Sequence, residues 1–453
     1  MRQYKFLSTT LITLCIGLGL SAQGAPRYLA QSQNPPLVEI QMRRPGYWIA
    51  HHPTVDSLIL DREGIRRFNE QAFAKGDLQQ LLDFPQEITD EELLAEIRRC
   101  FQAVRENGNY DHTGMLLTQA FWQDLEAQLN LDEISAQNAV GYGFATRFTN
   151  QRLAPYAGII SSRPLDLEFD YLQNSGIDLG NPLIILHESR DAKWLFGVGR
   201  ASSGWFPSDD IALVEREDWL SFQASEAFIV TTAEKSDLYL DPQRTEYHGL
   251  IRMGNRLPLI TQHDDCYELL LPGSQKQRAF IAKSDAHPGY LPYTARNVYE
   301  QAFKAQNTPY GWGDLNAEYD CSGLIQQLFA CFGILLPRNG AEQYKAACSH
   351  HEFASNTLPQ SREESIRQNA VPAATLLRLP GHIMLYLGSV EGKAYALHSL
   401  WGIRRPNPDQ EDDVIAVNRT VVTDLSPGLG SRRGSLLARL TGFSLVDLKQ
   451  EEQ

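Results

Sequence analysis

The chain has 453 residues, more than one hydrophobic core usually organises, so two to four domains are expected, three being the simplest division. Hydrophobic residues make up 43% and charged residues 21%, a globular balance that excludes a disordered chain. A formal net charge of −14 without any long basic run argues against nucleic acid as a partner and gives no electrostatic help in holding an anionic surface.

Arg2 and Lys5 make a short basic start, Phe6 to Leu20 is apolar or small throughout, and Ala22-Gln23-Gly24 puts small residues where a signal peptidase inspects the chain. Residues 1–24 therefore read as a cleaved signal peptide, with the mature chain in the periplasm or outside the cell. The apolar run is about 15 residues, short of the roughly 20 that span a bilayer, so no stable membrane insertion is expected. Cys15 raises lipid modification as an alternative, but Leu14 before it is too large for that pattern. Without this segment five cysteines remain: Cys100, Cys266, Cys321, Cys331 and Cys348. An odd number in an oxidising compartment leaves at least one thiol free unless chains pair with each other, and the spacing leaves open which of the others bond. No CxxC or Cys/His pair has zinc spacing, and neither a metal nor a cofactor is expected.

Residues 25–45 form an extended lead-in, after which the signals from about Ser57 to Leu129 are helical. Leu93, Leu94, Ile97, Phe101 and Val104 recur at three- and four-residue spacing, an amphipathic stripe over Glu91–Val104, and Gly114–Leu129 continues in the same way. From Val140 to about Leu291 short β-rich runs alternate with turn residues: 143–145, 183–186, 194–198, 228–232, 259–261 and 267–271. This is the rhythm of small β-barrels, with room for two. Helices return at Ala295–Ala305 and Cys321–Phe332, then strands at Ile383–Leu387 and Tyr395–His398, an α+β arrangement.

Two segments carry chemistry. In Tyr319-Asp320-Cys321-Ser322-Gly323, apolar residues at 324, 325, 328, 329 and 332 mark a helix with Asp320 or Ser322 as N-cap, which puts Cys321 in the first turn. Unpaired N–H groups and the helix dipole favour the thiolate there, so a lowered thiol pKa is expected. The competing reading is that Cys321 is a small buried apolar residue, the common fate of cysteine. Gly381-His382-Ile383-Met384-Leu385-Tyr386-Leu387-Gly388 reads as a strand, a turn at Ser389–Lys393, and a returning strand ending at Leu397-His398-Ser399. A hairpin centred near Glu391 sets 382 opposite 400 and 384 opposite 398, which makes His382 and His398 diagonal neighbours on one face. One imidazole can then take the thiol proton while the other orients it. A one-residue slip would put the two on opposite faces.

These segments, with Tyr310-Gly311-Trp312-Gly313 upstream and Leu336-Pro337-Arg338 after the cysteine helix, resemble in the same order the NlpC/p60 family of cell-wall cysteine peptidases. The resemblance implies a papain-like domain with Cys321 as nucleophile, His382 as base and His398 as its orienting partner. It implies Tyr310 near the oxyanion site and Asp320 and Ser322 against the acyl part of the substrate. The interval from His382 to His398 is a few residues longer than usual. Gly204-Trp205-Phe206-Pro207 and Phe169-Asp170-Tyr171-Leu172-Gln173 resemble bacterial SH3-like domains of multi-domain members, and Asp56-Ser57-Leu58-Ile59-Leu60 with Phe68-Asn69 resembles their N-terminal stabilising segment. The expected fold class is multi-domain: a helical N-terminal segment (25–135), β-barrel SH3-like domains (136–222 and 223–291), and a C-terminal α+β papain-like cysteine peptidase domain (292–453). In such relatives the first barrel closes one end of the groove. They prefer short peptidoglycan stem peptides with a free N-terminal L-alanine and cut them between γ-D-glutamate and the diamino acid. An amidase cutting the sugar–peptide bond, an acyltransferase, an intact-wall hydrolase and a non-catalytic wall-binding protein remain open as alternatives, since thiolate, imidazole and oxyanion donors are common to the enzymes.

Overall fold

The computed structural model describes residues 28–29, 38–76, 78–273, 275–408 and 411–447; the expected signal peptide lies outside them. The chain forms two compact units. One holds Gly76–Tyr290 together with the short stretch Gly311–Glu318, and the other holds the described residues up to Lys75, Leu291–Tyr310 and the residues from Tyr319 onward. The segment expected as one N-terminal helical region is thus shared between them.

In the first unit the expected amphipathic helix runs Asp90–Asn107. Thr89 starts it with a capping box, its hydroxyl accepting from the Glu92 amide while the Glu92 carboxylate accepts from the Thr89 amide. Leu93, Ile97, Cys100 and Val104 are fully buried in the core that this helix shares with Trp205 and Trp219. The helix expected over 114–129 begins only at Gln119. The Asp111 carboxylate accepts from the amides of Thr113 and Met115 at 2.9 and 3.0 Å and holds the preceding residues in a turn instead.

All six β-rich runs are strands of two seven-stranded antiparallel sheets. The first spans residues 141–214, with Gly141–Ala145, Pro182–Glu188, Trp194–Val198 and Ser203–Pro207 adjacent in that order; the second spans 228–288. Gly311–Glu318 takes left-handed backbone at Gly313, Asp314, Asn316 and Ala317, a strained run that persists only where its surroundings determine it. Trp312 Nε1 donates to the Asp170 carbonyl at 3.0 Å, Gln173 Nε2 donates to the Gly313 carbonyl at 3.0 Å, and Asp314 sits 3.3 Å from Arg252. Arg252 is fully buried and also grips Asp178 with two nitrogens at 2.8–3.2 Å.

The second unit is built on a seven-stranded sheet ordered Tyr28–Leu29, Asp413–Asp424, Lys393–Arg405, His382–Val390, Thr375–Leu379, Gly442–Leu445, Ser349–Glu352. The pairings are antiparallel except at Tyr28–Leu29, which adds parallel to Val414 and Ile415. The helix Cys321–Ala330 buries Leu324, Ile325, Leu328 and Phe329 and packs on the two strands carrying the histidines. It ends where Gly333 takes φ +79°, letting the Ile334 amide return to the Phe329 carbonyl at 3.2 Å. Among the described residues no helix is long and apolar enough to cross a membrane, and all five cysteines are unbonded.

Replacing Arg252 with methionine leaves Asp178 and Asp314 buried beside each other without their cation. The first unit should lose about 3–5 kcal/mol of stability, read from its unfolding transition in denaturant; an unchanged midpoint would show that the network is idle.

Candidate active site

The nucleophile position is made by a helix start. Asp320 is the N-cap, and its Oδ1 accepts from the amides of Ser322 and Gly323 at 3.0 and 2.7 Å. The same carboxylate is held from outside by Arg338, whose two terminal nitrogens lie 3.1 and 2.7 Å from Oδ1 and Oδ2. Ser322 Oγ donates to Asp320 at 3.0 Å and accepts from Arg338 at 2.8 Å. Gln343 completes the support, donating to the carbonyls of Ser322 and Pro337 at 2.8 and 2.9 Å. Asp320, Ser322 and Arg338 are all buried, so the two residues expected against substrate have internal partners in the scaffold under Cys321. Cys321 itself is partly exposed.

The hairpin follows the expected register where the histidines lie: Leu385 faces Leu397 and Tyr386 faces Ala396. A bulge between Tyr386 and Gly388 then shifts the pairing by one, the strands run on to Val390 and Lys393, and the turn shrinks to Glu391-Gly392, both at positive φ. His382 and His398 share a face, with His382 Nε2 2.7 Å from His398 Nδ1. Beyond, His398 Nε2 lies 3.0 Å from Thr423 Oγ1 on the neighbouring strand, a partner absent from the sequence reading because it lies on a third strand far along the chain. With His382 Nε2 committed to His398, Nδ1 is the nitrogen left for the thiol. The Ile383 amide, next to His382, faces the Cys321 sulfur and couples strand to helix. Tyr310 is half-buried, bridges by its backbone to Tyr319, and has its ring 6.3 Å from that of Trp401. Trp401 falls at a second bulge, between Leu400 and Gly402, which no local signal announces.

Residues 307–403 match the model of the NlpC/P60 family, and residues 162–207 match that of the SH3 domain (SH3b1 type). Residues 307–403 thus carry an NlpC/P60 domain. Among curated proteins, a gamma-D-glutamyl-L-lysine dipeptidyl-peptidase of Bacillus cereus is 26% identical over 146 residues, 31% of this chain and 42% of that protein. A bifunctional muramidase/DL-endopeptidase of Bacillus subtilis is 49% identical over 51 residues, 11% of this chain and 16% of that protein. The matches thus span less than half the length of either relative. The solved structure of an NlpC/P60 endopeptidase from Photobacterium damselae subsp. piscicida has a TM-score of 0.73 at 21% identity, covering 93% of this chain and 99% of its own, a likeness of fold.

The electrostatics of the NlpC/P60 site reverse one expectation. Burial pushes the Cys321 thiol up to about 12, with the Asp320 carboxylate adding to it; the Ile383 and Ser322 amides pull the other way without prevailing. The helix start is real, but its cap is an anion, and burial disfavours the thiolate more than the helix amides favour it. Burial also lowers His382 to about 4, helped by the Arg439 charge and opposed by Asp320. His398 is held well below its ordinary value by burial and then by His382. Both shifts run against an ion pair, burial favouring the neutral thiol and the neutral imidazole. Burial works against ionisation of Asp320, but the charge and hydrogen bonds of Arg338 hold its carboxyl below the usual range.

Arg338→Met should strand that carboxylate and lower stability by about 3–5 kcal/mol. Arg338→Lys should recover only part, since lysine cannot meet both oxygens and Ser322 in one plane. Thermal unfolding of the two variants checks this, and equal stability of all three chains would contradict it.

Proposed function

We propose that this chain is an exported cysteine endopeptidase, acting in the periplasm or outside the cell. It hydrolyses peptidoglycan-derived peptides between γ-D-glutamate and the L-diamino acid and prefers a free N-terminal L-alanine. The observation that carries the reading is the hydrogen-bonded row His382–His398–Thr423, on the strand whose Ile383 amide faces the Cys321 sulfur, an arrangement that suits acyl transfer. The bond is supported by the gamma-D-glutamyl-L-lysine dipeptidyl-peptidase of Bacillus cereus and by the DL-endopeptidase of Bacillus subtilis.

In the proposed reaction His382 Nδ1 takes the thiol proton as Cys321 Sγ bonds to the scissile carbonyl carbon. The C–N bond then breaks, the proton passes from His382 to the departing amine, and a thioester remains. Water, deprotonated by His382, adds to the thioester carbon; the C–S bond breaks, the proton passes from His382 to the sulfur, and the free acid leaves. For this, Nδ1 of neutral His382 must be free of its proton. That follows when His382 Nε2–H donates to His398 Nδ1 and His398 Nε2–H donates to Thr423 Oγ1. His398 and Thr423 are positioning residues that hold one tautomer, and Tyr310 is assigned to the oxyanion side. Asp320 and Ser322 support Cys321 from beneath.

With an L-alanyl-γ-D-glutamyl-diamino acid peptide as substrate, Cys321→Ser and His382→Ala should be close to inactive. His398→Ala should lose about ten- to a thousandfold in rate. Product masses locate the bond: acetylating the alanine amine should slow cleavage, whereas release of the intact peptide from its sugar would make the enzyme an amidase. Wild-type rates in the His398 variant would remove it from the relay.

A further inference from the structure

In a chain of net charge −14, the catalytic unit gathers three arginines: Arg439 faces His382, and Arg404 and Arg433 face Arg439. Arg404 is near the end of the strand Lys393–Arg405, opposite Val414. The Arg432 amide donates to Asp412 at 2.9 Å, which folds the loop carrying Arg433 against the end of that hairpin. Arg439 closes the helix Leu436–Arg439. Two residues on, the Thr441 amide donates to the Arg378 carbonyl at 2.9 Å, and Arg378 pairs with Ile383, so Arg439 arrives at the strand end where His382 begins. All three arginines are half-buried. Among the described residues no ion pair or side-chain hydrogen bond holds Arg404 or Arg439. Of the described acids in that loop, Asp413 meets Arg405 at 2.9 Å, while Asp412 and Glu411 face Arg433. Burial, then the neighbouring cations, lower Arg439.

Like charges placed together and partly desolvated are unfavourable unless an anion joins them. The anion is indicated by the chemistry. His382 returns a proton to the departing nitrogen, so the residue bearing that nitrogen lies beside His382. In the proposed reaction that residue is the diamino acid, which carries an α-carboxylate when it is terminal and a second carboxylate when it is diaminopimelate. We infer that Arg404, Arg433 and Arg439 form a carboxylate-binding subsite for the leaving diamino acid, favouring diaminopimelate over lysine. Lysine brings only an ammonium to the same place, whereas diaminopimelate brings a carboxylate with it. Guanidinium forks suit carboxylates in two-point contact. The inference rests on the endopeptidase reading for which side of the bond occupies the subsite.

The test uses the full chain carrying Cys321→Ser, titrated calorimetrically with L-alanyl-γ-D-glutamyl-meso-diaminopimelate, its lysine counterpart, and the C-terminal amide of each. The parent should bind the diaminopimelate peptides more tightly than the lysine ones if the side-chain carboxylate is read, and acids more tightly than amides if the α-carboxylate is read. Arg404→Gln and Arg439→Gln should shrink that preference about ten- to hundredfold, the range for hydrogen bonds to a charged group, and Arg404→Lys should retain part of it. A parent that binds all four peptides alike, or glutamine variants that keep the full preference, would overturn the subsite. Failure of the wild-type chain to hydrolyse any of the four, with the binding preference intact, would sink the endopeptidase reading and leave the subsite standing.

Discussion

Asp320 and Arg338 form a buried ion pair at the point where the catalytic unit must do two incompatible things. A helix has to begin in the protein interior, where its first amides need an acceptor, and the next residue must still present a sulfur to a substrate. A carboxylate cap meets the first demand, yet an uncompensated carboxylate there would be prohibitive. Arg338 neutralises it with two contacts and also holds Ser322, while Gln343 fixes the next carbonyl. Cys321 is therefore placed by a scaffold whose charges cancel beneath it.

The same cap shapes the chemistry. Burial, and then an anion one residue before the sulfur, discourage a thiolate, and burial discourages imidazolium, so both shifts favour the neutral forms. In the proposed reaction the base then acts during attack rather than before it, and proton position depends on one tautomer. The contacts to His398 and Thr423 supply that control by hydrogen bonds alone.

Much of the fold and site was legible because it is local. The Asp320 cap and the apolar spacing after it are written within a dozen residues, and the histidine hairpin follows from alternation about a Glu-Gly turn. The assumed register held for the histidines because the bulge at Leu387 lies between them and the turn; a bulge on the other side would have separated them. What stayed hidden is non-local. Thr423 lies on a third strand, Arg338 is recognisable as a motif residue but not as the partner of Asp320, and the left-handed run 313–317 is stabilised by Gln173 and Arg252 from far along the chain. The sign of the Cys321 shift was also out of reach: a helix start predicts a lowered thiol, and only the packing around the sulfur shows that burial prevails.

The central claim is that Cys321 and His382 rest as a neutral pair, and alkylation of Cys321 by iodoacetamide across pH tests it most directly. Because the thiol is held high and the imidazole low, the alkylation rate should climb through neutral pH into the alkaline range with no plateau, and His382→Gln should change its level rather than its shape. A rate already level between about pH 5 and 8, collapsing in the His382 variant, would reveal a preformed thiolate–imidazolium pair and contradict the account.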